Sequence, residues 1–187
     1  MKTFTRPAWR GLAALAFTAA STTGAVAGSP PTLRLLSTVS APNPVASELL
    51  AAHNRARDAA GELPLSWDSS LAEGAAQYAD FLAQAGQLRH SPAESRQGLG
   101  ENLWMGTRNY FRPTSMVDAW ASERSMFRAA TFPDVSTTGN WAQVGHYTQM
   151  IWPATQRVGC AIGKGPRADV LVCRYFPAGN VMGSPVG

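Results

Sequence analysis

The sequence predicts an α+β domain in which helices cover both faces of an antiparallel sheet. Two observations carry this: apolar residues recur at helical spacing in the first half of the chain, and short β-branched and aromatic runs, separated by Pro or Gly, follow near the C-terminus. Helices followed by strands in that order favour segregated layers over alternating β-α units.

The elements follow in order. Asn43-Pro44 reads as an N-cap with a proline at the first helical position, so a helix runs through ASELLAAHNRARDAAG and stops at Gly61. From Asp68 to Gln84, Leu71, Ala75, Tyr78, Ala79 and Leu82 build one apolar stripe, and Gly86 is placed to end that helix. A third helix is expected from about Ser115 to Phe127, with Ser115 and Asp118 in capping-box spacing and Val117, Trp120, Ala121 and Phe127 facing inward. HYTQMIW (146–152), RVGCAIG (157–163) and DVLVCRYF (169–176) read as strands. The tight connector Lys164 to Arg167 joins the last two, and an antiparallel pair there brings Cys160 and Cys173 within disulfide reach.

Residues 1–27 read as an export signal: Lys2, Arg6 and Arg10 form a positive leader, an apolar stretch follows, and Ala25-Val26-Ala27 is an A-x-A cleavage site. The apolar stretch is too short to span a bilayer. Residues 28–42, rich in Ser, Thr and Pro, read as a flexible arm before a single domain at 43–187. Three of the 16 basic residues lie in the leader and none of the 12 acidic ones, so the remainder carries 13 minus 12, or +1. That balance excludes nucleic acid as an expected partner. Export to an oxidising compartment favours a disulfide between the two cysteines over a metal or nucleophilic role.

No HExxH or GxSxG is present, and His53, His90 and His146 are too widely spaced to nominate a metal site by themselves. Trp67, Trp104, Trp120, Trp141 and Trp152 are read as packing residues, Tyr147 as core on the opposite face of a strand from His146, and His53 as structural.

LLAAHNRAR (49–57), PLSWD (64–68), GQLRHS (86–91), GENL (100–103), WASE (120–123), GHYTQMIW (145–152), RVGCA (157–161) and VCRYFPAGN (172–180) resemble, in the same order, the signature segments of the CAP superfamily. The likeness is strongest to its pathogenesis-related class-one branch. The resemblance implies a three-layer α-β-α sandwich and a cleft with two His and two Glu, which fall on His90, Glu101, Glu123 and His146. It implies a secreted, extracellular binding module acting in host–microbe interaction, and the single cysteine pair suggests a bacterial member, for which the periplasm is a second location. His90 and His146 are then candidate ligands for zinc or another divalent cation, with Glu101 and Glu123 as cleft carboxylates. WMGTRNYFRP (104–113) is an aromatic loop suited to a lipid or sterol groove. A metal-dependent hydrolase is the first alternative. The second is a peptide precursor, because PAGNVMGSPVG (177–187) resembles a releasable C-terminal peptide and reads as loosely held. The protein is expected to be monomeric.

Overall fold

The computed structural model describes residues 43–187. The segments read as an export signal (1–27) and an arm (28–42) lie outside them. The chain forms helix α1 (Pro44–Asp58), strand β1 (Ser66–Trp67), helix α2 (Ser69–Ala85), strand β2 (Gly100–Thr107), helix α3 (Pro113–Ala121) and strand β3 (Ala130–Thr131). Helix α4 (Gly145–Met150) and strands β4 (Arg157–Lys164), β5 (Ala168–Phe176) and β6 (Pro185–Val186) complete it.

The first two helices begin where the sequence places them, and α2 ends as read, whereas α1 stops at Asp58 with Ala59 as its C-cap, short of Gly61. The Asn43 side chain accepts from the Ala46 amide, and that of Asp68 accepts from Ser70 and Leu71. Gly86 closes α2 in the left-handed region at φ 67°. The third helix differs from expectation: Pro113, fixed at the first turn, starts it two residues early, Arg112 is the N-cap without a side-chain bond, and the Ser115–Asp118 box does not form. It stops at Ala121, and Ser122–Met126 continue as a 3-10 turn.

The main sheet has the order β1-β4-β5-β2, with β1 parallel to β4 and the other pairs antiparallel. Pleating sorts the core into two layers. Val170 and Val172 of β5, with Leu103 of β2, face α2 and meet Ala75, Ala79, Leu82 and Ala83. Leu171, Cys173 and Tyr175 point the other way, into Leu49, Met116, Val117, Trp120 and Met150 of α1, α3 and α4. The three-layer sandwich is therefore observed. Helix α2 lies close against the sheet because Gly159 and Gly163 sit beneath it, where a Cβ would overlap the backbone of Asp68, Ala72 and Ala79.

Cys160 and Cys173 are direct register partners on β4 and β5, 4.1 Å apart at Cα, and form the expected disulfide. Three readings are corrected. HYTQMIW is not a strand but the short helix α4, because Glu123 accepts the amides of His146 and Tyr147 at its first turn. Tyr147 is core, as read, but from a helix. Trp141 is 41% exposed and packs edge-on against Phe132 at the rim, whereas Trp120 and Trp152 are buried. The tail is not loose either: β6 pairs with β3, and Val186 is fully buried among Phe132, Val135, Tyr147 and Ile151.

Candidate functional site

Strand β2 is an edge of the sheet, and the four cleft residues form two His–Glu pairs, one at Glu101 on this strand and one at Glu123 after α3. Glu101 shares the α2-facing side with Leu103, and the segment after α2 brings His90 to it. His90 Nδ1 lies 3.0 Å from Glu101 Oε1, which also accepts the Ser91 amide at 2.9 Å, while Oε2 accepts the Ser91 hydroxyl at 2.8 Å. Burial alone raises the Glu101 carboxyl, but the bonds from His90 and Ser91 outweigh it and hold the group below the ordinary carboxylate value.

The second pair lies beyond Asn102, which points to the opposite face. Its Nδ2 donates to the His146 carbonyl at 3.0 Å and to the Tyr175 hydroxyl at 3.1 Å. Glu123, turned out of line with α3 by the 3-10 turn, takes His146 Nδ1 on Oε1 at 2.6 Å and the amides of His146 and Tyr147 on Oε2. The Trp120 ring stacks on His146 at 5.8 Å and 15°, and its Nε1 donates to the Leu103 carbonyl. Here the third helix, the edge strand and α4 are locked to one another.

Both imidazoles thus donate Nδ1–H to a carboxylate, which fixes the tautomer and leaves Nε2 as a lone-pair donor. A neutral imidazole nitrogen is a donor type that zinc takes, but among the described residues no three of the four cleft residues bring their ligand atoms within 4.8 Å of one another. Each Glu already accepts three bonds, so neither carboxylate is an idle base.

His53 is placed in the core, as expected. Its Nδ1 donates to the Leu49 carbonyl, and Nε2 accepts the Tyr175 hydroxyl, both at 2.8 Å. Burial pushes its pKa down to about 4, with the Leu49 bond opposing and the Arg57 charge assisting. His53, Cys160 and Cys173 are the one group of three among the described residues whose ligand atoms lie within 4.8 Å of one another, but the two sulfurs are bonded and both ring nitrogens engaged. It is not a metal site. The aromatic residues of 104–113 pack on each other: Trp104 with Phe111 at 5.0 Å and Phe111 with Tyr110 at 4.9 Å.

Sequence reasoning did not find Asn102, Ser91, Trp120 as a stacking partner, or Arg174, which pairs in register with Glu101. Asn102 is adjacent to Glu101 in GENL, so alternation along a recognised strand was the signal available for it.

A family model, CAP: Cysteine-rich secretory protein family, matches residues 50–175. The chain belongs to this family. It is 36% identical over 137 residues to pathogenesis-related protein 1C of Nicotiana tabacum, covering 73% of this chain and 77% of that one. It is 35% identical over 139 residues to the Golgi-associated plant pathogenesis-related protein 1 of Homo sapiens, covering 73% and 84%. Among solved structures, NaASP2 with Zn2+ superposes with a TM-score of 0.63 at 25% identity, covering 77% of this chain and 87% of that one. The CAP fold and the pathogenesis-related branch are thereby established, and the disulfide suits an extracellular-type protein. Among the described residues no helix is long and apolar enough to cross a membrane.

Proposed function

We propose that this CAP protein is an extracellular binding module that holds a divalent cation through Nε2 of His90 and His146, with Glu101 and Glu123 orienting the two rings. The observation that supports this is the shared use of Nδ1: both imidazoles spend that nitrogen on a carboxylate and keep the other free. NaASP2, a neighbour in fold, has been solved with Zn2+. Each carboxylate already accepts three hydrogen bonds and keeps little acceptor capacity for a water proton, which favours binding over hydrolysis. The mutual packing of Trp104, Tyr110 and Phe111 gives the lipid reading less support than the cation reading. The buried Val186 likewise argues against ready release of 177–187.

Calorimetric titration with zinc at neutral pH is the test. Wild type binds, His90→Ala and His146→Ala each weaken binding at least about tenfold, and acid releases the ion as the rings protonate. Equal zinc affinity in wild type and the double variant overturns the reading.

A further inference from the structure

A cavity of about 310 Å³ opens between α2 and the segment that carries His90, lined by Gly74, Gln77, Tyr78, Pro92, Ser95 and Arg174 among others. Arg174 reaches it by the pleat of β5, on the side of Val170 and Val172 that faces α2. A glycine on the helix makes the room, since a Cβ at Gly74 would stand 2.7 Å from Nη1 of the guanidinium.

Arg174 arrives with its donors unspent. Its Nε is buried without a hydrogen-bond partner and lies 3.7 Å from Glu101 Oε2, an ion-pair separation but not a hydrogen bond. Glu101 spends its bonds elsewhere, on His90 Nδ1 and on the Ser91 amide and hydroxyl. Among the described residues the guanidinium makes no hydrogen bond, although it carries five N–H donors in a planar fork. No acidic side chain lines the cavity. Tyr78 and Pro92 supply an apolar wall, and both also line a neighbouring space of about 480 Å³ with Phe81 and Arg89. The complement of a planar donor fork beside such a wall is a carboxylate on an apolar body.

We propose that this cavity binds a small organic acid, its carboxylate on Arg174 and its apolar part against Tyr78 and Pro92. At about 30 Å³ per atom the space suits roughly ten non-hydrogen atoms, about the size of benzoate. The site does not depend on the cation reading, because it uses neither imidazole.

The test is a titration of the full chain with benzoate, followed by amide and guanidinium NMR shifts, beside neutral benzamide and inorganic phosphate at matched ionic strength. Saturable shifts at Gln77, Ser91 and the Arg174 Nε–H are expected, with benzamide and phosphate each at least about tenfold weaker. Arg174→Gln loses the response. Because that change also strips Glu101 of its countercharge, Gln77→Trp, which fills the mouth from an exposed position, provides the second variant. It should abolish benzoate binding while zinc affinity and melting temperature stay at wild-type values. Benzamide binding as well as benzoate, phosphate binding as well as benzoate, or undiminished benzoate binding in Gln77→Trp would each overturn the proposal.

Discussion

The two His–Glu pairs present the same nitrogen by different means. In the first, the acid is the fixed partner: the Glu101 side chain is fully buried on a strand beside Arg174, while His90 rides on an irregular segment with its side chain 54% exposed. In the second, constraint is shared, since Glu123 caps α4 and His146 is pressed against Trp120. A ring can be aimed either by burying its acceptor or by stacking the ring itself. The first route costs more if the acid is lost.

The largest expected effect follows directly. Glu101→Ala leaves Arg174 with no countercharge and Ser91 with no acceptor, and should cost about 3–5 kcal/mol in urea unfolding. Glu123→Ala should cost about 2 kcal/mol, the worth of a mostly buried acid that caps a helix and one ring. Equal losses would break the distinction between the pairs.

Acid sharpens it. His53 has a folded-state pKa of about 4 against the ordinary 6.5, so between those values the unfolded chain binds the extra proton and stability falls as pH falls. The loss should approach about 3 kcal/mol by pH 4 and be absent from His53→Gln. Glu101, held below its ordinary value, contributes stability that is present above that value and lost as pH drops through the lowered one. The part of the acid slope that Glu101→Gln removes should therefore begin only at the bottom of the His53 window, from about pH 4.5 downward.

Smaller effects separate the pairs by their surroundings. Val186 packs with Tyr147, next to His146, so removing residues 185–187 should cost about 1–2 kcal/mol and disturb the His146 ring signals while leaving those of His90 in place. Least of all, His90→Ala should change stability by no more than about 0.5 kcal/mol, whereas His146→Ala, losing its stack on Trp120, should cost about 1 kcal/mol. Thermal melts of the two variants provide the comparison.

The sequence made α1, α2, β4, β5 and the disulfide legible because each carries its own signal: Asn43, Asp68 and Gly86 at helix ends, and β-branched runs around Cys160 and Cys173. It misled at 146–152, where Tyr147 to Met150 are all buried and six helical residues are too few to display a period. What makes that segment helical is Glu123, which lies 23 residues before His146. The tail misled for the same reason, since Pro185–Val186 are ordered by Ala130–Thr131 rather than by any local pattern. The identities of the four cleft residues came through their segments' likeness to a family. Their division into two pairs did not, because it depends on Asn102 and Glu101 pointing to opposite faces of a strand that the sequence reading had not recognised as one.

That strand is also where the sheet is vulnerable to an intruder. The opposite border, β1, is only Ser66–Trp67 and offers little ladder to a foreign chain. β2 is eight residues long, yet Gly100 to Leu103 are buried under the segments bearing His90 and His146. The cleft residues therefore act as a cover over an otherwise adhesive backbone. Changes that loosen them should raise self-association at high protein concentration along with any loss of binding.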